Sequence, residues 1–198
     1  MSEQTSTPKL TGQFAKAMVY AERKHHNQVR KGGDIPYVGH LLSVAGLVIN
    51  DNGSEAQAIA ALLHDAVEDQ GGAETLQEIK ANFGEEVARI VEECSDTDKT
   101  PKPPWQERKQ DYINHLGVVG EDTLLVSVAD KLDNARSMRR DYNEHGSALW
   151  QRFTVKNPDD HLWYYGGLLD AYRARGLNSW MVDELGRVVD ELKKLVES

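Results

Sequence analysis

The sequence predicts an all-α, compact fold. Three observations predict it. Apolar residues recur three and four apart in nearly every periodic segment. The periodic segments are separated by Gly, Pro and Asn clusters. No segment alternates apolar and polar residues as a half-buried strand would. With 198 residues, no internal repeat and no composition shift, one domain is expected over residues 11–198. Residues 1–10, rich in Ser, Thr and Pro, read as a disordered lead-in.

The elements follow in order. Phe14, Ala17, Met18 and Ala21 form the stripe of a first helix, broken at Arg30-Lys31-Gly32-Gly33. Leu41, Val44, Ala45 and Val48 form a second, ended by Asn52-Gly53. Ser54 caps a third that carries Ile59, Leu62 and Leu63 and runs to Gly71-Gly72. Thr75 with Glu78 reads as the capping box of a short fourth helix. Glu85 to Cys94 is a fifth, and Cys94 shares the spacing of Val87, Ile90 and Val91, as a buried thiol would. Ser95 to Pro104 holds Thr-Pro-Lys-Pro-Pro and must be a loop. Trp105 to Leu116 is helical, and Leu124, Leu125, Val128, Ala129 and Leu132 define a long helix to about Arg140. Two more, Leu162 to Tyr172 and Met181 to Val196, flank Gly176.

Composition narrows the function. The formal net charge of −9 argues against a nucleic-acid partner but leaves room for a local basic cluster that holds a small anion. The apolar runs are shorter than a membrane span, and no secretory leader is visible. The single cysteine cannot form an internal disulfide, so a cytoplasmic location is expected. Nothing in the composition gives an oligomeric state.

The chemistry concentrates in HDAVED, His64 to Asp69. On a continuous helix, Glu68 lies four after His64 and three after Asp65, so one patch carries an imidazole and three carboxylates. Such a cluster is costly at a helix C-terminus unless water or a cation relieves it. The apolar run Ala58 to Leu63 leads straight into His64, which places the patch at a core boundary rather than in open solvent. His40 opens the second helix and by itself reads as a capping or satisfied boundary histidine rather than a ligand. Asp130 sits inside the apolar run of the long helix and needs a partner. That partner is either a cation such as Lys131 or an arginine, or a metal. Asn134 is one turn further on the same face.

Taken together, His40, His64-Asp65 and Asp130 resemble the metal-ligand pattern of the HD phosphohydrolases. Two imidazoles and two carboxylates suit manganese, iron or zinc better than magnesium or calcium. The segments AERKHHNQVRKGGDIPYVGHLLSVA, AALLHDAVED and VADKLDNARSM are similar to the hydrolase domain of RelA/SpoT proteins, over roughly residues 12 to 175. SDTDKTPKPPWQERKQDY resembles a loop of the same family. Among its branches the stand-alone small alarmone hydrolases, which include metazoan SpoT homologues, fit the length.

The resemblance implies an HD-domain helical fold and a (p)ppGpp 3′-pyrophosphohydrolase that releases pyrophosphate and GDP or GTP. It implies one divalent metal, usually manganese, on His40, His64, Asp65 and Asp130. Glu68 and Asp69 would activate the attacking water. Arg30, Lys31, Tyr37, Lys99, Asn134 and Tyr164 would contact a small-molecule nucleotide. Read as residues alone, Arg30, Lys31 and Lys99 are solvated charges, and Tyr37 and Tyr164 pack the core. Asp133 stands where the family usually has Tyr or His, and would add negative charge near the substrate. His115 reads as a surface residue. Two other readings stay open: an HD phosphatase acting on deoxynucleoside monophosphates or NADPH, and a non-catalytic nucleotide-binding HD domain.

Overall fold

The structure, a computed structural model, describes residues 9–96 and 101–197. Most of the expected lead-in, together with Lys99, therefore lies outside the described residues. Helices α1 (Gly12–His25), α2 (Val38–Asn50), α3 (Glu55–Leu63) and α4 (Ala66–Asp69) come first. They are followed by α5 (Gly72–Phe83), α6 (Glu85–Cys94), α7 (Trp105–Leu116) and α8 (Glu121–His145). A 3-10 turn over Gly146–Arg152 leads to α9 (Pro158–Ala174) and α10 (Trp180–Glu197). No described helix is long and apolar enough to cross a membrane.

Helix α3 is the centre of the packing, touching α1, α2, α6 and α8. It can be central because it is apolar all round: Ala58 to Leu63 are all buried. Its alanines let the neighbouring helices approach, while Leu62 and Leu63 fill the space between them. Burying each of those leucines contributes roughly 1.5–3 kcal/mol. Ser54 starts α3 with a complete capping box, its hydroxyl accepting from Gln57 N and the Gln57 side chain accepting from Ser54 N. Helix α10 packs along α8 and α9, and α7 lies on α9. Where α7, α8 and α9 meet, the buried hydroxyls of Tyr112, Ser127 and Tyr172 satisfy one another at 2.8 and 2.7 Å.

Five features differ from the sequence reading. Helix α1 ends at His25 instead of reaching Arg30, because the chain turns into a short hairpin. Val29 and Pro36 pair across that hairpin, with Arg30 N donating to Ile35 O and Tyr37 N to Gln28 O, both at 2.9 Å. At its tip Gly32 (φ +81°) lies against Arg152 so closely that a Cβ would stand 2.2 Å from Arg152 Cδ. Helix α3 does not run on to Gly71: the helical ladder lapses at His64-Asp65, where Asp65 has φ −96° and ψ −4°, and resumes as α4. Thr75 caps nothing; it lies inside α5 and its hydroxyl donates to Gln70 O at 2.7 Å. Cys94 is half-buried, packed against the core at a cavity wall, where burial pushes its thiol up. The long helix extends past Arg140 to His145, where Gly146 (φ +56°) ends it.

Candidate metal centre

Three helices bring the candidate ligands together. His40 lies in the first turn of α2, His64 and Asp65 where α3 lapses, and Asp130 in the buried face of α8. His40 Nε2 is 3.2 Å from Asp130 Oδ1 and 3.6 Å from Asp65 Oδ2. His64 Nε2 is 3.0 Å from Asp65 Oδ2 and 3.5 Å from Asp130 Oδ1. Ligand atoms of His40, His64 and Asp65 all lie within 4.8 Å of one another. The lapse at His64-Asp65 is what lets two consecutive residues face one point.

Each ligand is held from behind. His64 Nδ1 is 2.8 Å from Ala61 O and donates to it, which aims Nε2 at the other ligands. His40 Nδ1 is 2.6 Å from Asp133 Oδ2. Tyr37 Oη donates to Asp65 Oδ2 at 2.6 Å. Asn134 donates to Asp130 Oδ1 at 2.5 Å and Lys131 to Oδ2 at 2.6 Å. The cation partner expected for Asp130 is therefore present as Lys131, yet Oδ1 still faces both imidazoles. Tyr37 and Asn134, read from the sequence as nucleotide contacts, here brace two of the ligands.

The electrostatics ask for a cation. His40 Nε2 and His64 Nε2 are buried and have no hydrogen-bond partner among the described residues. Burial alone would lower the His40 pKa, but Asp130, Asp133 and Asp65 outweigh it and raise it to about 9. His64 rises well above its ordinary value for the same reason: burial opposes, Asp65 and Asp130 prevail. Burial likewise works against ionised Asp65, but His64 and His40 hold its carboxyl well below the usual range. For Asp130, Lys131 and His64 do the same. Two unpartnered imidazole nitrogens and two anionic carboxylates at one point make a donor set that fits a divalent transition-metal ion.

This point lies at the floor of a cavity of about 580 Å³ whose wall includes Arg30, Lys31, Glu68, Asp69, Asn134 and Tyr164. Glu68 Oε1 accepts from Lys102 at 2.8 Å, and Oε2 from Asp96 N at 3.4 Å. Asp69 Oδ2 accepts from Gln28 at 2.7 Å; burial, then Asp65, raises its carboxyl. Arg30 and Lys31, read from the residues alone as solvated charges, sit on the hairpin that forms one rim. Tyr164 is buried in the wall, its hydroxyl without a partner among the described residues and its ring 5.0 Å from Lys109 Nζ. It is thus both packed and facing the cavity. His115 is half-buried and lies outside the cluster.

Sequence reasoning missed four cations of the same cavity, Lys109, Lys131, Arg140 and Arg152. Lys131 was visible only as an ion-pair partner, and Lys109 reads as a surface residue of an amphipathic helix. In the structure Lys109 is drawn in by Asp96, 3.1 Å away, which Arg108 also contacts. The signal for both lysines was a place on the inward face of the helix, which shows only once α7, α8 and α9 are placed.

Fold and site together define the class: the chain belongs to the HD-domain family, whose model matches residues 17–158. It is 40% identical over 124 residues to the guanosine-3′,5′-bis(diphosphate) 3′-pyrophosphohydrolase MESH1 of Xenopus tropicalis, spanning 61% of this chain and 66% of that one, just under two thirds. To human MESH1 it is 37% identical over 131 residues, 65% of this chain and 70% of the relative. A solved metazoan ortholog of SpoT, described as hydrolysing ppGpp, superposes with a TM-score of 0.77 at 26% identity, over 93% of this chain and 98% of that one.

Proposed function

We propose that this chain is a metal-dependent (p)ppGpp 3′-pyrophosphohydrolase that releases pyrophosphate and GDP or GTP. The observation that carries the reading is the pair of buried, unpartnered imidazole nitrogens converging with Asp65 and Asp130 on the floor of a cation-rimmed cavity. The similarity to MESH1 proteins, named for this activity, supports the substrate.

His40, His64, Asp65 and Asp130 would hold the ion, for which manganese is the family's usual choice and the donor set is suited. A divalent cation there supplies Lewis-acid polarisation of the 3′-phosphate and a lowered pKa for water. The chain does the rest. Arg30 and Lys31 hold the pyrophosphate oxygens from the hairpin, Arg30 with a planar fork and Lys31 as a point charge. Lys109 and Lys131 add positive charge deeper in the cavity. Lys102 and the Asp96 amide fix the Glu68 carboxylate, and Glu68 Oε accepts the proton of the attacking water. Asp69, anchored by Gln28, orients that water beside Glu68. The water oxygen bonds to the phosphorus attached to the 3′-oxygen, the P–O bond to that oxygen breaks, and the 3′-oxygen takes up the proton that Glu68 accepted, so the nucleotide leaves with a 3′-hydroxyl. Tyr164 turns its hydroxyl and ring towards the nucleotide. Lys99, outside the described residues, is assigned its nucleotide contact on the family resemblance alone.

The test is product analysis. Purified protein with Mn²⁺ is offered ppGpp, pppGpp, deoxynucleoside monophosphates and NADPH, with pyrophosphate and inorganic phosphate assayed separately. Pyrophosphate with GDP or GTP is expected. Inorganic phosphate from monophosphates or NADPH, with ppGpp untouched, would leave a phosphatase; tight ppGpp binding without turnover would leave a binding domain.

A further inference from the structure

The two histidines of the centre are oriented by unlike devices. His64 rests on a neutral backbone carbonyl, Ala61 O. His40 rests on a carboxylate: Asp133 Oδ2, on α8, lies 2.6 Å from His40 Nδ1 on α2. The other carboxylate oxygen, Oδ1, accepts from the Ser43 hydroxyl one turn along α2. Asp133 therefore ties the two helices that carry His40 and Asp130. A third group approaches it from the rim: Arg30 Nη2 lies 4.0 Å from Asp133 Oδ2. The negative charge at position 133 is thus turned towards His40, Ser43 and Arg30.

Each contact has a consequence. A carboxylate that accepts from Nδ1–H keeps that proton in place, so that Nε2 is the nitrogen that gives its proton up to an ion and offers the lone pair. The structure shows that nitrogen buried and unpartnered, facing Asp130 and Asp65. Anionic acceptors behind a histidine ligand fix the ring's rotation and make it a better donor, and their loss commonly costs 10–100-fold in metal affinity. The Arg30 contact spans from the ring's back to the hairpin, so the same carboxylate holds the rim guanidinium in register with the centre.

We propose that Asp133 is a positioning residue of this chain: it locks His40 with Nε2 towards the ion and anchors the Arg30 hairpin to the metal centre. The proposal rests on the ligand assignment above; only its KM readout also rests on the proposed substrate.

The experiment compares Mn²⁺ dissociation constants, measured by electron paramagnetic resonance of the free ion, for the parent, Asp133→Ala, Asp133→Asn and His40→Ala. Asp133→Ala is expected to bind Mn²⁺ about 10–100-fold more weakly. Asp133→Asn keeps an acceptor of the same size without the charge and should fall between. Ring-nitrogen NMR of Zn²⁺-loaded protein gives a second readout: in Asp133→Ala the His40 Nδ1–H signal should shift or exchange away while that of His64 stays. A mere packing role would not move one imidazole selectively. With Mn²⁺ saturating, the KM for ppGpp should still be raised in Asp133→Ala, because Arg30 has lost its anchor. Parent-like Mn²⁺ affinity and an unchanged His40 signal in Asp133→Ala, with affinity lost in His40→Ala, would overturn the proposal and leave the ligand set standing. Unchanged affinity in His40→Ala itself would overturn both.

Discussion

Metal uptake should be strongly pH-dependent, and the structure sets the window. Without a cation the carboxylates hold the His40 pKa at about 9. At pH 7 the ring is therefore protonated, and an ion must displace that proton. At 1.36 kcal/mol per pH unit, displacing that proton at pH 7 costs about 2.7 kcal/mol; with half the rings still protonated at pH 9, the apparent Mn²⁺ affinity should be about 50-fold weaker at pH 7 than at pH 9. His64, also raised, adds a second proton and steepens the dependence. Folding stability moves the opposite way. A histidine raised in the folded state stabilises it fully below the unfolded value of 6.5, and that contribution disappears as pH rises through about 9. For His40 it amounts to about 3 kcal/mol. The Tm without metal should therefore decline from pH 6.5 to 9, while the gain on adding Mn²⁺ widens. Calorimetric titration at several pH values, in buffers of different ionisation enthalpy, reads both the affinity and the protons released. Equal affinity at pH 6.5 and 9, with no buffer-dependent heat, would refute the reasoning.

Three further outcomes follow from the same geometry. His64→Ala and Asp130→Ala should each lose the ion and nearly all activity; full metal occupancy by elemental analysis in both would remove them from the ligand set. Glu68→Gln keeps its shape but cannot take the proton, so metal should remain while the rate falls by ~10²–10⁴-fold; collapse of metal content would make Glu68 a ligand instead. Replacing Arg30 and Lys31 together by Gln should raise the KM for ppGpp steeply and matter less for a nucleoside monophosphate, which steady-state kinetics on both substrates will show; equal effects on the two would argue that the hairpin does not grip the 3′-pyrophosphate.

The helices were legible because their apolar stripes are long and their breaks chemically marked. Asp130 was legible because a carboxylate inside Leu124 to Leu132 has to be paired. What failed was anything set by non-local contact. Nothing in His25-His26-Asn27-Gln28 announces the end of α1; the pairing of Val29 with Pro36 does that. Ala66 and Val67 are ordinary helix residues, so the sequence suggested a continuous helix where the ladder lapses at His64-Asp65. Thr75 and Glu78 have the spacing of a capping box, but the helix starts earlier, at Gly71-Gly72, through positive φ values. Asp133 looked like a charge in the substrate's way; only the placement of α2 against α8 shows it behind His40.

The lapse at His64-Asp65 also bears on topology. Because the ligands come from α2, the end of α3 and α8, an ion at their meeting point would act as a cross-link, closing one short and one long stretch of chain much as a disulfide does. A clip of this kind removes conformations from the unfolded chain, and more from the longer stretch. It also fixes the order in which the molecule can open. The hairpin and α10 could fray with such an ion in place. Separating α2 or α8 from α3 requires the clip to let go first. The dipeptide is the fastener of that clip, so inserting a single residue between His64 and Asp65 would unpick the fold's central crossing as well as its chemistry.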